Sequence, residues 1–252
     1  MVVAVGAAAT VYASPVQVPA YVTAAMNDPA RAADHVNDER RRMADVLVLT
    51  GIKPGDSVLE LVPGGGYWTR AFSGIVGATG RVYTMWPERM QNFAPVHALL
   101  TKSLHNWRRL ALTPHYANVT PMVQPAAEPW VPHAVDVVFT ADNYHDLHQP
   151  YMGPLDMLAF DKRIYAALKP GGVYVIVDHE AAVGSNEMID VNFLHRIDPA
   201  LVRREVESAG FVFDGESRAL KNSKDPLDVS IFDPSIRGHT SQFMFRFRKP
   251  RR

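Results

Sequence analysis

The sequence predicts an α/β fold with a mostly parallel β-sheet that helices cover on both faces. Short apolar stretches typical of buried strands alternate along the chain with segments whose apolar residues recur at helical spacing. Glycine and proline turns separate the two kinds of segment. Sheets of this kind bind ligands beyond the carboxyl ends of their strands, so we expect functional residues where strands end.

Seven strands and five helices are expected. The strands are Ser57–Val62, Arg81–Met85, Val119–Val123, Val135–Thr140, Val173–Val177, Phe211–Phe213 and Phe243–Phe247. The helices are Asp38–Thr50, Tyr67–Val76, Val96–Leu110, Leu155–Leu168 and one that Asp198 caps, that begins at Pro199 and that Gly210 ends.

The composition excludes several classes of protein. The chain has 252 residues, of which 47% are hydrophobic, as is typical of a globular protein and not of a disordered or fibrous one. Its 26 lysines and arginines balance 26 aspartates and glutamates, so it lacks the excess positive charge of a nucleic-acid binder. It has no cysteine, which excludes disulfides, thiol catalysis and thiolate metal ligands. An enzyme or a small-molecule-binding protein is therefore expected.

A glycine triplet follows the first predicted strand. Gly64, Gly65 and Gly66 lie between the buried strand that ends at Val62 and the helix that begins at Tyr67. Glycine lets a backbone turn tightly and approach a ligand closely, and the start of a helix presents free N–H groups to an anion. A purely structural turn needs glycine too, so the triplet alone leaves both interpretations open.

Two motifs together resemble the class I S-adenosylmethionine-dependent methyltransferases. The first is Lys53–Glu60 leading into the triplet, and the second is the turn Leu168–Gly172 before the fifth strand. The resemblance spans about Gly51 to Lys249. It implies a Rossmann-like, doubly wound sheet of seven strands, mostly parallel with an antiparallel last strand. It also implies S-adenosyl-L-methionine as the cofactor.

A closer resemblance is to a bacterial subgroup of predicted methyltransferases, which often carry N-terminal export signals and have no well-defined substrate. The matching segments are Pro63–Thr69, Asn143–Asp146, Asp178-His179, His195–Asp198, and the end pattern from Phe232–Pro234 to Phe247–Pro250.

The family resemblance implies a set of cofactor contacts. An acid before the glycine loop helps to hold the methionine end of the cofactor, and Glu60 matches it. The acid that usually ends strand two is displaced to Glu88, and Trp86 is expected to stack on adenine in its place. The residues expected to bind the cofactor are Glu60, Pro63, Gly64, Gly65, Gly66, Trp86, Glu88 and Asn143.

Two further departures from the family affect the same contacts. The first glycine of the loop is replaced by Val62, or by Pro63 if the loop is shifted. The acid that usually meets the adenine amine after strand three is missing around Gln124–Ala126. A catalytically reduced nucleotide-binding protein is therefore kept as an alternative.

Histidine and carboxylate residues follow strand four, whose end faces the transferred methyl group in the methyltransferases that the sequence resembles. Methyl transfer is an in-line displacement that requires a positioned acceptor and removal of its proton. Histidine suits proton removal because its ordinary pKa lies near neutrality. His145 is the expected base, with Asp146 or Asp142 orienting it or accepting a hydrogen bond from the substrate. Capping of the next helix is the alternative role.

A second polar group, Asp178–Glu180, ends strand five. These residues are expected to hydrogen-bond substrate, and a metal site that includes His145, Asp146 and His148 is the less favoured alternative because the spacing is not diagnostic. The predicted catalytic residues are His145, Asp146 and His179, and no residue is assigned to a metal. His195 and Arg196, before the helix cap, could bind an anionic part of the substrate or brace the cap.

The N-terminus permits two interpretations. Residues 1–20 are expected to be a signal peptide or a disordered arm, because Val11–Ala13 fits a signal-peptidase site while no positive charge precedes the apolar run. Export to the periplasm and a cytoplasmic location both stay open. Residues 21–252 are expected to form one methyltransferase domain with a helical extension at 21–50, and the apolar run is too short to span a membrane.

The expected function is methyl transfer from S-adenosylmethionine to a small molecule, with oxygen or nitrogen as the acceptor atom and no nucleic acid as partner. A dinucleotide-dependent oxidoreductase is the weaker alternative, because the loop fits only half of the G-x-G-x-x-G pattern. Nothing in the sequence predicts an oligomeric state.

Overall fold

A computed structural model describes residues 10–12 and 16–251 of the chain. The strands are β1 Thr10–Tyr12, β2 Ser57–Leu61, β3 Arg81–Pro87, β4 Val119–Gln124, β5 Val135–Ala141, β6 Leu168–His179, β7 Val212–Ser217 and β8 Gln242–Arg248. The α-helices are α1 Ala20–Met26, α2 Met43–Thr50, α3 Tyr67–Val76, α4 Glu88–Gln91, α5 Ala94–Leu110, α6 Met157–Ala167, α7 Glu187–Ile189 and α8 Pro199–Ser208. A π-helical turn at Asp190–Leu194 and short 3-10 turns, including His145–His148 and Pro150–Met152, join them.

The strands form one sheet in the order β1-β7-β8-β6-β5-β2-β3-β4. Strand β8 runs antiparallel to both of its neighbours and every other pair is parallel. The prediction of a mostly parallel sheet with an antiparallel last strand is therefore confirmed. In β6, every residue from Gly172 to Asp178 is buried, which requires cover on both faces of the sheet.

The sheet has eight strands, whereas the sequence predicted seven. The extra strand β1 pairs in parallel with the edge strand β7, and the Arg246 guanidinium donates a 2.6 Å hydrogen bond to the Tyr12 hydroxyl. Three residues with no alternating pattern give no strand signal, so only the pairing reveals the strand. Residues 1–9 and 13–15 lie outside the described residues. They make up most of the predicted signal peptide or arm and include Ala13 of the candidate cleavage site.

The predicted helical extension at 21–50 contains two α-helices. Helix α1 packs on α3, where Gly74 leaves room for Ala25. Helix α2 begins at Met43 rather than at Asp38, because Arg42 adopts a left-handed backbone conformation. No helix within the described part of the chain combines the length and apolar character needed to cross a membrane.

Ion pairs fasten the segment before α2 to α3. Arg70 holds Asp34 with two hydrogen bonds of 2.6 Å, and the Tyr67 hydroxyl donates to Asp38 at 2.6 Å. The fully buried Arg31 also donates to Asp38, at 2.8 Å. These contacts set the segment beside the carboxyl edge of the sheet.

Candidate active site

The loop between β2 and α3 turns through three left-handed residues, Val62, Gly64 and Gly66, with φ values of 49°, 54° and 80°. Val62, one of the two residues that could replace the first loop glycine of the family, adopts the conformation that glycine favours. The amides of Gly64 and Gly65 donate to no residue that the structure describes. Two free N–H groups are therefore available at the start of α3.

Helix α5 fixes the other side of the glycine loop. The Ser103 hydroxyl donates to the Gly64 carbonyl, and the Trp107 indole donates to the Gly65 carbonyl at 3.4 Å. A Cβ at Gly66 would lie 2.2 Å from Trp107, whereas a Cβ at Gly64 or Gly65 would have no neighbour within 4 Å. The loop is therefore packed on one side and open on the other.

Glu60 lies at the end of β2, directly before this loop, and is 1% exposed. The Thr69 hydroxyl donates to its carboxylate at 2.6 Å. Burial raises the pKa of Glu60 to about 8, because the Thr69 hydrogen bond and the Arg70 charge offset only part of the desolvation cost. Glu60 thus precedes the loop in the chain, and its buried carboxylate lines neither of the two cavities described below.

The other predicted cofactor residues differ in their surroundings. The Asn143 amide donates to the carbonyls of Val62 and Ala141, which links the end of β5 to the loop. Trp86 is fully buried, and Glu88 is exposed at the start of α4. Neither side chain lines a cavity beside the loop.

A narrow apolar cleft lies at the carboxyl ends of β2, β3, β4 and β5. It is lined by Leu61, Val62, Met85, Pro87, Ala126, Thr140, Asn143, Leu147 and Phe160. Its volume is about 10 Å³, close to the space that one water molecule needs.

A much larger cavity opens at the ends of β5 and β6, with a volume of about 1050 Å³. Its walls come from residues 36–42, from Trp68 on α3, and from the long connection between β7 and β8. Both Asp142 and His179 line it. This is the size of a cavity that binds a small molecule.

His145 does not line either cavity. It is 2% exposed; its Nδ1 lies 2.8 Å from Asp178 Oδ1, and its Nε2 lies 3.4 Å from Asp146 Oδ1. Burial alone would lower the pKa of His145, but the charges of Asp178 and Asp146 outweigh it and raise the pKa to about 9. At neutral pH His145 is thus a buried cation with little capacity to accept a proton.

His179 is the histidine in the wall of the large cavity. Its Nδ1 lies 2.8 Å from the Thr240 hydroxyl, and its Nε2 lies 3.7 Å from Asp142 Oδ1. Burial and the nearby charge of His145 lower the pKa of His179, although Asp142 and Asp178 oppose the shift. Near neutral pH His179 is therefore uncharged and can accept a proton.

Asp178 connects the two histidines. It is fully buried and accepts hydrogen bonds from the backbone N–H groups of His145 and His179, at 2.8 and 2.7 Å, as well as from the His145 ring. Burial would raise the pKa of Asp178, but the charge and hydrogen bonds of His145 lower it. Asp178 is thus an ionised bridge that sequence analysis left without a separate role.

His195 lies against the same cluster. His145, Asp146 and His195 each bring one ligand atom to within 4.8 Å of one another, an arrangement that could hold a metal ion. The two carboxylates beside His145 already provide partners for both of its ring nitrogens. His148 points elsewhere and pairs with Glu187 and Glu205.

Arg196 has a structural role. It is fully buried and forms two 2.9 Å hydrogen bonds to the carboxylate of Asp225. It also donates to the carbonyls of Glu180 and Val229. Arg196 therefore fastens the connection between β7 and β8 to the end of β6, and its hydrogen bonds do not reach the Asp198 cap.

Sequence analysis missed several residues of the large cavity. Arg41 lies 3.4 Å from Asp142, and the Gln242 amide donates to Asp142 at 2.5 Å. The Thr240 hydroxyl contacts His179. These residues come from segments without a motif, so the sequence contains no signal that brings them together.

Searches for a matching family model and for a curated relative found none. The fold is nevertheless similar to that of many solved structures. An S-adenosylmethionine-dependent methyltransferase from Aquifex aeolicus is 18% identical, with 89% of this chain and 95% of that chain covered and a TM-score of 0.54. The N-methyltransferase NodS from Bradyrhizobium japonicum is 13% identical, with 86% and 99% covered and a TM-score of 0.54.

This chain has the fold of the class I methyltransferases. A third structure, fibrillarin from Aeropyrum pernix with natively bound S-adenosyl-L-methionine, is 20% identical, with 83% of this chain and 76% of that chain covered and a TM-score of 0.50. The methyltransferase fold agrees with the resemblance in the sequence and leaves the acceptor unassigned.

Proposed function

We propose that this chain transfers a methyl group from S-adenosylmethionine to a small molecule bound in the large cavity. The observation that carries the proposal is the turn that ends β5. Thr140 and Asn143 line the narrow cleft beside the glycine loop, while Ala141 and Asp142 line the large cavity. A methyl donor on one side and an acceptor on the other would meet at this turn, as an in-line transfer requires.

The residues around the loop fit the methionine end of the cofactor. The free amides of Gly64 and Gly65 would hold its carboxylate, and Glu60 would meet its ammonium group, which would favour ionisation of this buried acid. When bound, the cofactor supplies an electrophilic methyl group and leaves as a neutral thioether, with the electron pair of the broken C–S bond on sulfur. Adenine would need the narrow cleft to widen, because the cleft holds only about 10 Å³.

His179 is the proposed base that removes the proton from the methyl acceptor. Nε2 can take the proton from an acceptor oxygen or nitrogen, as that atom bonds to the methyl carbon, in the tautomer that donates from Nδ1 to Thr240. In that tautomer the 3.3 Å contact between the Gln242 amide nitrogen and Nδ1 is not a hydrogen bond. Asp142, 3.7 Å from Nε2, would stabilise the imidazolium that forms. His145 and Asp146 act as positioning residues, because Asp178 connects His145 to the backbone of His179.

A small-molecule acceptor is favoured over a nucleic acid by the zero net charge of the chain. The link to the export-signal subgroup stays a prediction. Fusing residues 1–20 to a reporter that is active only after export would test the location, since cleavage after Ala13 would remove strand β1.

Calorimetry with S-adenosylmethionine, S-adenosylhomocysteine and NAD tests the proposed cofactor. The protein should bind both sulfur nucleotides and not NAD. Gly65→Val should abolish this binding without unfolding the chain, because its side chain would occupy the open face of the loop. Ala182→Val, which adds bulk at an exposed position with an ordinary backbone outside both cavities, is the control and should retain binding.

Three results would contradict this account. Binding of NAD without either sulfur nucleotide would indicate an oxidoreductase. Unchanged affinity in Gly65→Val would show that the loop is only a turn. Binding of S-adenosylhomocysteine without product from any acceptor would favour the catalytically reduced alternative.

A further inference from the structure

Positive charge is concentrated in the wall of the large cavity. Two acidic side chains line it, Glu39 and Asp142, against six lysines and arginines, so its formal charge is +4 (six minus two) in a chain whose charge is zero. The six cationic residues are Arg40, Arg41, Arg42, Lys221, Lys224 and Arg237. A concave surface of one sign concentrates ligands of the opposite sign.

Ion pairs within the chain neutralise only some of these cationic side chains. Arg41 pairs with Asp142 through one long contact of 3.4 Å, and Lys221 pairs with Glu180 at 2.5 Å. Lys224 and Arg237 are exposed, and their side chains make no ion pair or hydrogen bond with any residue in the described ranges. Two cations at the cavity therefore have donors available for a ligand.

The cationic residues come from two segments that meet across the cavity. One is residues 39–42, before α2, and the other is the connection between β7 and β8. Their closeness is shown at Gly238, where a Cβ would lie 3.4 Å from Cδ of Arg40. Arg237, the residue before Gly238, thus belongs to the same rim as Arg40. Like charges gathered on one rim repel each other, and a bound anion would relieve that repulsion.

The rest of the wall is mixed, with polar side chains such as Asn222 and Gln242 beside an apolar group. Trp68, 6% exposed, and Ile236, 7% exposed, lie in it together with Leu220 and Ile231. His179 and Asp142 lie at the inner end, on the strands. A ligand that matches this wall combines an apolar body with an anionic group at the rim.

We propose that the methyl acceptor is an amphipathic anion, whose carboxylate, sulfonate or phosphate group is held by Lys224 and Arg237 while its apolar body lies against Trp68. This inference rests on the proposed function only in naming the ligand a methyl acceptor. The anion site itself is defined by the cavity and its charges. Each charge-assisted contact adds affinity that a neutral ligand cannot gain.

A pair of fluorescent probes isolates the anionic group. 1-Anilinonaphthalene-8-sulfonate carries a sulfonate, and N-phenyl-1-naphthylamine has the same rings without it. The protein should bind the sulfonate at least about tenfold more tightly at low salt, and the difference should shrink as salt is added. Equal affinity for the two probes, or no binding of the sulfonate, would overturn the proposal.

Paired substitutions locate the site. Lys224→Gln with Arg237→Gln should weaken binding of the sulfonate about tenfold or more and leave the neutral probe unaffected. The matched control is Lys102→Gln with Arg108→Gln, which removes the same charge from exposed positions of α5 outside the cavity. Equal losses in the two double variants would show a general charge effect and contradict the site.

Two further measurements separate the possible outcomes. Competition by 1-naphthoate and by 1-naphthyl phosphate shows whether the site prefers a carboxylate or a phosphate, and failure of both to displace the sulfonate would contradict an anion site. Calorimetry with S-adenosylmethionine on the same proteins distinguishes the two proposals. Loss of probe selectivity with cofactor binding intact rejects this inference alone, whereas selectivity without cofactor binding rejects the methyltransferase function alone.

Discussion

The two halves of the proposed site, one for the cofactor and one for the acceptor, are built in different ways. The cofactor half, Glu60 to Thr69, is a continuous segment that presents backbone amides and one buried acid. The acceptor half gathers side chains from residues 36–42, from the ends of β5 and β6, and from the connection between β7 and β8. The first half follows from local backbone chemistry, whereas the second exists only because the fold brings distant segments together.

The largest expected effect is on turnover, and it tests whether His179 belongs to the acceptor half alone. His179→Gln should lower turnover by about 10²- to 10⁴-fold, because it removes the proton acceptor. Its affinity for S-adenosylmethionine should stay unchanged. Release of S-adenosylhomocysteine, measured with an acceptor found by screening small aromatic anions, provides the rate, and calorimetry provides the affinity.

His145→Gln is the comparison variant for His179. It should lower turnover by a smaller factor, because His145 acts through Asp178, and it should also alter the pH dependence of the rate. A larger loss in His145→Gln than in His179→Gln would reverse the assignment of the base. A loss of cofactor affinity in either variant would move that histidine into the cofactor half.

Arg196→Met tests what holds the acceptor half together. The substitution leaves Asp225 buried without its cation, and we expect the free energy of unfolding to fall by about 3–5 kcal/mol. Urea denaturation measures this loss. Adding Asp225→Asn should recover part of it, because the buried charge is removed. No loss in the single variant would show that the pair does not fasten the connection between β7 and β8.

Two glycines of the loop differ in how closely their surroundings pack, and substitutions at both test that difference. Gly66→Ala should destabilise the protein by about 1–3 kcal/mol, because the new Cβ would meet Trp107 and the backbone is left-handed there. Gly65→Ala should have almost no effect on stability, because its surroundings are open. Thermal unfolding of both variants checks the difference, and equal losses would contradict the packing described for α5.

The last expected effect is a change in the pH dependence of stability. Glu60 holds its proton to about pH 8 in the folded protein and His145 to about pH 9, whereas their unfolded pKa values are 4.5 and 6.5. Both raised values stabilise the fold at low pH and lose that contribution as pH rises, so the protein should be less stable at pH 9 than at pH 6.5.

The Glu60→Gln variant separates the contribution of Glu60 to the pH dependence of stability from that of His145. Between pH 6.5 and 8 the variant should lose less stability than the unsubstituted protein, by up to about 1.4 kcal/mol per pH unit for one proton. Urea denaturation at several pH values measures the slopes. Identical slopes would show that Glu60 is ionised in the folded chain and that its burial is less costly than the structure indicates.

The contrast between the halves also explains what could be predicted from the sequence. Strand and helix periodicity gave the order of the central elements and the glycine loop, because both depend on neighbouring residues. The left-handed conformation of Val62 and the different surroundings of His145 and His179 depend on the tertiary structure, which a linear pattern does not contain. Strand β1, Arg41 and Arg237 depend on contacts across most of the chain, so no local signal could predict them.

The most direct test of the central claim is a crystal structure with S-adenosylhomocysteine bound. The account predicts that the amino-acid carboxylate contacts the amides of Gly64 and Gly65, and that the sulfur faces the large cavity beside Asp142 and His179. A ligand bound away from the glycine loop, or one whose sulfur faces away from this cavity, would contradict the claim that the two halves form one methyl-transfer site.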